Sequence, residues 1–108
     1  MNNTINDLDF LGTSWGNVTV VRATYIDGST AVQLYTEDGE LLTTASIYLG
    51  PTLRVSNRNQ FWIKDYSEND GLAHALQDAG VITIKAESAV GPFTSRVYLA
   101  EFTPGWRS

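Results

Sequence analysis

The fold is decided by the stretch Asn17-Val-Thr-Val-Val-Arg-Ala-Thr-Tyr-Ile-Asp27, which Gly28 follows directly. β-Branched residues are frequent in it, and its side chains alternate between two faces, which predicts one long strand. Asp27-Gly28 is a typical two-residue hairpin turn, because glycine readily adopts the positive φ angle that such a turn requires. The chain is therefore predicted to reverse at Gly28 and to pair antiparallel with the residues that follow.

The same pattern recurs immediately downstream. Thr30-Ala-Val-Gln-Leu-Tyr-Thr36 alternates again, and Glu37-Asp-Gly-Glu40 repeats the turn signal. Leu41–Leu49 is a third predicted strand, which ends before a proline because proline cannot donate to the ladder. Residues 17–49 thus predict a three-stranded antiparallel meander with two Asp-Gly turns.

The segments on either side of the meander are less regular. A short strand at Leu8–Leu11 is expected to pair with residues 17–21. Leu53-Arg-Val55 fits a short strand, and Ser56-Asn-Arg-Asn59 fits a loop. Phe61-Trp-Ile63 is apolar enough to be buried, but its pattern fits a strand and a helical turn equally well.

One helix is predicted over residues 68–79. Ser67 offers a side-chain oxygen for the N-cap, and Asp70 follows three residues later, as in a capping box. Gly80 is typical of the position just beyond a helix. The acids of the first turn and Asn69 are expected to be exposed. The face that packs on the sheet is expected to consist of four residues at helical spacing: Leu72, Ala73, Leu76 and Ala79.

Two further strands are predicted after the helix, Val81–Ala86 and Phe93–Phe102, joined by a turn at Gly91-Pro92. The order βββββ-α-ββ predicts an α+β fold, with five to seven strands in one antiparallel sheet and the short amphipathic helix on one face. The 108 residues have the usual length of a single domain. Residues 1–7 and 103–108 are expected to be flexible tails.

Composition and charge exclude several classes of protein. The chain has 12 acidic and 7 basic residues, a net charge of −5, so direct nucleic-acid binding through phosphate contacts is not expected. Without cysteine it forms no disulfide or zinc–thiolate site. No apolar run approaches the roughly 20 residues that cross a bilayer, and residues 1–11 lack the features of a signal peptide. A cytoplasmic protein without membrane contact is expected.

The sequence contains no clear catalytic or metal-binding constellation. His74 is the only histidine, and Asp70 and Asp78 flank it at i−4 and i+4. That spacing fits a carboxylate-oriented general base, but a solvated histidine is the expected state because no nucleophile pattern accompanies it. Asp65-x-x-Glu68-x-Asp70 does not match a calcium-binding loop. No catalytic residue, cofactor or metal ligand is assigned.

Three blocks of sequence carry a resemblance to a known family. The first is Tyr25-Ile-Asp-Gly28 with Ala31-Val-Gln-Leu34 and Glu37-Asp-Gly-Glu40; the second is Asn59 with Trp62-Ile63 and Ser67-Glu-Asn-Asp-Gly-Leu72; the third is Val97-Tyr-Leu-Ala-Glu-Phe102. Together they resemble a family of small plasmid- and phage-borne proteins catalogued as a domain of unknown function. The resemblance implies a mobile genetic element in a bacterial cytoplasm, and it brings no catalytic residues. Small acidic proteins in that setting often inhibit host defence, as anti-CRISPR and anti-restriction proteins do.

The functional hypothesis is a non-catalytic module, not an enzyme, that binds a protein of a bacterial defence complex. Its carboxylates would stand in for phosphates and compete with nucleic acid. The candidate partner-binding residues are two acidic clusters and one aromatic residue near the end of the sequence: Glu37, Asp38, Glu40, Asp65, Glu68, Asp70 and Trp106. Two alternatives stay open. One is a structural or regulatory accessory protein that forms a homodimer through an exposed strand edge, and the other is a hydrolase that uses Asp or Glu.

Overall fold

Strands account for most of the regular structure in the computed structural model, which describes residues 4–10, 12–26, 28–48, 59–104 and 106. The strands in these ranges are β1 (Thr4–Ile5), β2 (Asp9–Phe10), β3 (Thr13–Ser14), β4 (Val18–Thr24), β5 (Thr30–Tyr35), β6 (Leu41–Thr44), β7 (Gln60–Lys64), β8 (Ile82–Val90) and β9 (Ser95–Phe102). One α-helix, α1 (Leu72–Asp78), lies between β7 and β8, and a 3₁₀ turn at Ser67–Asn69 precedes it. The α+β class is confirmed.

The predicted meander is confirmed in strands β4, β5 and β6. Strands β4 and β5 pair antiparallel over six residue pairs. Gly28 lies in their turn at a φ of 88°, and Gly39 lies in the next turn at 82°, as the two Asp-Gly signals predict. Asp27 itself lies outside the described residues. The third strand is shorter than predicted, since β6 ends at Thr44.

The strands form three sheets rather than the single sheet predicted from the sequence. Strands β1-β4-β5-β6 make a four-stranded sheet, β7-β9-β8 make a three-stranded sheet, and β2 pairs only with β3. Phe61-Trp-Ile63, which the sequence left undecided, lies in β7. Neighbouring strands pair antiparallel in every sheet, so β7 and β8, on either side of β9, run parallel and are joined by a crossover that contains α1.

The two larger sheets meet at a narrow junction around Ser46. Ser46 forms an isolated bridge with Ile63 of β7, and the N–H of Lys64 donates to the carbonyl of Ala45 at 2.9 Å. The Ser46 hydroxyl oxygen also accepts the N–H of Val32 in β5 at 2.9 Å. A buried serine thus ties the first sheet to the second where the main chain passes between them.

One cluster of buried apolar side chains draws on both larger sheets and on the helix. The helix contributes Leu72, Ala73 and Leu76, each at most 1% exposed. These three residues confirm the predicted face of the helix. Ala79 does not belong to it, because the helix ends at Asp78 and Ala79 is an exposed cap residue.

Both segments expected to be tails contain ordered, packed residues. Ile5 is 3% exposed and pairs with Val18, so the tail predicted for residues 1–7 is wrong at this position. This pairing also takes the place predicted for Leu8–Leu11, which is wrong because β2 forms a small hairpin with β3 instead. At the other end, Trp106 packs against the core cluster.

The remaining differences concern strand lengths and coverage. Strand β8 extends to Val90 rather than Ala86, and β9 begins at Ser95 rather than Phe93. The strand expected at Leu53–Val55 and the loop expected over 56–58 lie outside the described residues. Within the described ranges, no helix combines the length and the apolar character needed to cross a membrane.

Candidate functional site

The two predicted acidic clusters lie in different surroundings. The first, Glu37–Glu40, lines a groove of about 540 Å³ between the β2–β3 hairpin and the turn that joins β5 to β6. We call this surface the acidic groove. Its lining combines three carboxylates with three hydroxyl groups and three apolar side chains: Thr13, Ser14, Trp15, Thr36, Glu37, Asp38, Glu40, Leu41 and Leu42.

The turn that carries the acids is held by its own backbone. The N–H of Thr36 donates to the carbonyl of Glu40 at 2.9 Å, and the N–H of Gly39 donates to the carbonyl of Thr36 at 3.0 Å. The Thr36 hydroxyl oxygen also accepts the N–H of Glu40 at 3.3 Å. Gly39 supplies the positive φ that the turn requires. The carboxylates of Asp38 and Glu40 are therefore presented on a defined turn and not on a loose loop.

Glu37 contacts the segment that leads into β4. Its Oε1 accepts the backbone N–H of Asn17 at 3.3 Å, across a loop that Gly16 enters at a φ of 67°. A Cβ placed on Gly16 would lie 3.7 Å from that oxygen. Glu37 thus links the β5–β6 turn to the start of β4.

Asp38 and Glu40 carry charge that the described part of the chain does not compensate. Neither carboxylate makes an ion pair or a hydrogen bond with a described residue, and both residues are exposed. The described lysines pair elsewhere, with Glu68 and Glu101, and Arg96 pairs with Glu87. Among the described residues, the negative charge of the acidic groove is therefore unbalanced, and a cationic partner would neutralise it.

The sequence did not single out the apolar part of this groove. Trp15 lines it, and Leu41, which is 52% exposed, lies beside the acids. Asp9 was also missed: it lies directly opposite Ser14 in the β2–β3 ladder, so the two side chains share one face of the hairpin. Recognising that hairpin in the sequence would have placed Asp9 next to the groove, but strands of two residues carry almost no periodic signal.

The second acidic cluster contains a structural carboxylate. Asp65 is 5% exposed, and its two oxygens accept the backbone N–H groups of Gly71 at 3.0 Å and Ala73 at 2.9 Å. These donors belong to the start of α1, where backbone N–H groups lack partners within the helix. Asp65 therefore caps the helix. The side chain is buried and both oxygens are engaged, so Asp65 is not an exposed member of the predicted acidic surface.

The predicted N-cap at Ser67 is also wrong. Ser67 adopts a left-handed φ of 57° within the 3₁₀ turn, and its hydroxyl caps no backbone group there. The helix begins only after Gly71, whose φ is 85°. The N–H groups of Asn69 and Asp70, which a cap at Ser67 would engage, donate instead to the carbonyls of Tyr66 and Ser67, and Asp65 caps the helix that begins after them.

Asn69 was expected to be exposed and is instead 1% exposed. Its side-chain oxygen accepts the Thr43 hydroxyl at 2.6 Å, and its side-chain nitrogen donates to the carbonyl of Thr44 at 2.9 Å. These bonds connect the segment before α1 to strand β6 of the first sheet. The region therefore spans both sheets through polar side chains.

Glu68 and Asp70 remain on the surface, as predicted. Glu68 forms an ion pair with Lys64, and the hydrogen bond from that lysine lowers the pKa of the carboxyl group below its ordinary value of 4.5. Most of the charge in this cluster is thus used internally. Among its acids, only Asp70 is exposed with no ion pair to a described residue.

Trp106 is not the exposed contact that the sequence suggested. It is partly buried against the core cluster, and its indole Nε1 is buried without a hydrogen-bond partner in the described part of the chain. His74 is exposed, as expected, and its ring meets the edge of Tyr98 with the centroids 5.3 Å apart. Within the described ranges, no three His, Asp or Glu side chains converge in an arrangement that could hold a metal ion.

Comparison with protein-family models, with curated proteins and with solved structures finds no match to this chain. The resemblance to the mobile-element family therefore stays a prediction, and the functional argument depends on the geometry of the acidic groove.

Proposed function

We propose that this protein is a non-catalytic module that binds a basic protein surface through the acidic groove. One observation carries the proposal: Asp38 and Glu40 present carboxylates that pair with no described cation, on a hydrogen-bonded turn beside the partly exposed Leu41. A turn held by its own hydrogen bonds loses little backbone freedom when a partner binds. The neighbouring apolar side chains add contact area that phosphate-like charge alone would lack.

The partner is a protein surface that normally holds nucleic acid. Such surfaces concentrate lysine and arginine, and arginine pairs with a carboxylate in the same bidentate way as with a phosphate. An acidic protein seated there excludes the nucleic acid by direct competition. The resemblance to plasmid- and phage-borne proteins extends the proposal to a bacterial defence complex of the CRISPR or restriction type as the target.

The decisive experiment is a capture assay with the full chain and a matched pair of variants. The immobilised protein is mixed with a lysate of a CRISPR-active bacterium, and captured proteins are then challenged with duplex DNA. Asp38→Asn combined with Glu40→Gln removes two groove charges. Asp7→Asn combined with Asp78→Asn removes two exposed charges outside the groove and serves as the control.

The proposal predicts that DNA and the captured protein compete, and that only the groove variant loses capture. Expression of the wild-type chain, but not of the groove variant, should restore plaque formation by a targeted phage. Equal loss in both variants would mean that net charge, and not the groove, governs binding. Absence of both capture and protection would overturn the proposal.

A further inference from the structure

A second surface lies along the outer edge of β8, far in sequence from the acidic groove. Strand β8 pairs with β9 on one side and has no strand on its other side in the described part of the chain. The first part of that edge is occupied, because the N–H of Ile84 donates to Oε1 of Gln77 in α1 at 2.8 Å. Beyond it, Ala86–Val90 extends to the Gly91-Pro92 turn. An unpaired strand edge of this kind is a template for pairing with another chain.

The hydrogen-bonding groups of that edge can be assigned from Ile84. Its N–H points away from β9, and backbone groups alternate sides along an antiparallel strand. A bulge between Ile84 and Ala86 shifts this alternation by one residue. The outward-pointing groups beyond the bulge therefore belong to Glu87 and Ala89.

We infer that a second copy of this chain pairs antiparallel with β8 along Ala86–Val90, with the two-fold axis at Ser88. This register places Glu87 of each copy opposite Ala89 of the other, so each Glu87–Ala89 pair exchanges two backbone hydrogen bonds. A register centred on Glu87 would place two glutamates face to face. One centred on Ala86 would require outward groups at Lys85, which the bulge turns inward.

The charges near the edge favour this register. Arg96 lies opposite Ala89 in the β8–β9 ladder, and its Nε is 3.2 Å from Oε2 of Glu87 in the same copy. In the paired dimer, Glu87 of the second copy lies on the other side of Ala89, about 10 Å from Arg96 at the usual strand spacing. An arginine side chain spans an alanine easily, and its five N–H donors can serve two carboxylates. Each copy thus supplies one Arg96 that bridges both glutamates.

The ends of the edge limit the assembly to two chains. Gln77 covers the strand before the bulge, and the turn at Pro92 ends it, so only about five residues remain for pairing. A two-fold contact consumes this edge in both copies and leaves none for a third. The expected product is therefore a closed dimer and not a fibre.

The test is sedimentation of the full chain over a wide concentration range, together with amide hydrogen exchange. The mass should rise to twice that of the monomer, and the amides of Glu87 and Ala89 should become protected only as the dimer forms. Glu87→Arg should weaken the dimer at least tenfold. Adding Arg96→Glu to that variant should restore it, because the swap rebuilds the same pairs with opposite sign.

Asp78→Arg, an equal charge change at an exposed site on α1, is the control and should leave the dimer unchanged. Ala89→Pro removes an outward N–H without touching the ladder to β9 and should leave a folded monomer. A chain that stays monomeric at millimolar concentration would overturn the inference. A dimer in which the amides of Glu87 and Ala89 exchange at the monomer rate would overturn it equally.

Discussion

The acidic segments Glu37–Glu40 and Asp65–Asp70 have similar compositions and opposite surroundings. The first lies in a hairpin turn, where the backbone groups hydrogen-bond to one another and the side chains of Asp38 and Glu40 face solvent. The second lies between a strand and a helix, where unpaired backbone donors draw Asp65 inward. The comparison teaches that the fate of a carboxylate depends on which backbone groups near it lack partners, more than on the local density of charge.

We expect the largest loss of stability when Asp65, the buried carboxylate of the second acidic segment, is replaced. Asp65→Ala leaves the N–H groups of Gly71 and Ala73 without their acceptor, and hydrogen bonds to a charged group stabilise by about 1.5–3 kcal/mol each. Since the two bonds share one carboxylate, we expect a loss of about 3 kcal/mol in the free energy of unfolding, measured in urea. Asp70→Ala, the exposed control, should change it by less than about 0.5 kcal/mol. Similar values for both variants would erase the distinction between the segments.

Asn69 tests whether the second segment is structural beyond its single buried acid. Asn69→Ala should lower the free energy of unfolding by about 2 kcal/mol, because the Thr43 hydroxyl and the Thr44 carbonyl lose their partner. A double-mutant cycle with Thr43→Val should give a coupling energy of about 0.5 kcal/mol or more. A coupling near zero would mean that the short Thr43–Asn69 contact does not contribute to stability.

The exposed segment should behave in the opposite way. Asp38→Asn combined with Glu40→Gln should change the free energy of unfolding by less than about 0.5 kcal/mol, because neither carboxylate has a described partner to lose. The same variant should lose binding in the capture assay. A substantial loss of stability would show that these acids support the fold, and the contrast between the two segments would then fail.

Glu68 gives the smallest effect and sharpens the comparison through pH. Its pKa is lowered in the folded state by Lys64, so its contribution to stability is present above the ordinary value of 4.5 and is lost as the pH falls through the lower folded value. Glu68→Gln should therefore destabilise the protein slightly at pH 7, less at high salt, and not at all in strong acid. Chemical unfolding at three pH values checks this. A difference that grows toward low pH would contradict the assignment.

The elements that could be predicted are those whose signal lies within a few residues. The meander follows from alternation and from glycines at positions that need positive φ, Gly28 and Gly39. The face of α1 follows from the spacing of Leu72 and Leu76. In each case the local preference and the tertiary packing agree.

The elements that could not be predicted depend on contacts between distant parts of the chain. The β2–β3 hairpin has two-residue strands, which are too short for an alternating sequence pattern. It is extended by a hydrogen bond from the Trp15 N–H to the Leu8 carbonyl at 2.8 Å. The helix begins later than predicted: Ser67–Asn69 forms a 3₁₀ turn, and the Asp65 carboxylate caps the N–H groups of Gly71 and Ala73 where α1 begins. Of the candidate site, the sequence placed the acids of the β5–β6 turn correctly on the surface, but it could not tell which acids would be buried.

The narrow junction at Ser46 has a consequence for how the molecule opens. Among the described residues, the polar contacts between the two larger sheets include the main-chain bonds around Ser46, the Asn69 contacts with β6, and Arg22 of β4, which contacts Asn59 and the ring of Phe102. The shared apolar cluster connects the sheets through packing. The Ser46 hydroxyl oxygen shares a hydrogen bond with the Tyr25 hydroxyl at 2.9 Å and accepts the N–H of Val32, so it fixes Ser46 to the first sheet, while the Ser46 backbone bridges to Ile63 of the second. We therefore expect that in the Ser46→Ala variant the two sheets separate at a lower free energy than the one that unfolds either sheet. Native-state exchange would then resolve two cooperative units where the wild-type chain opens as one.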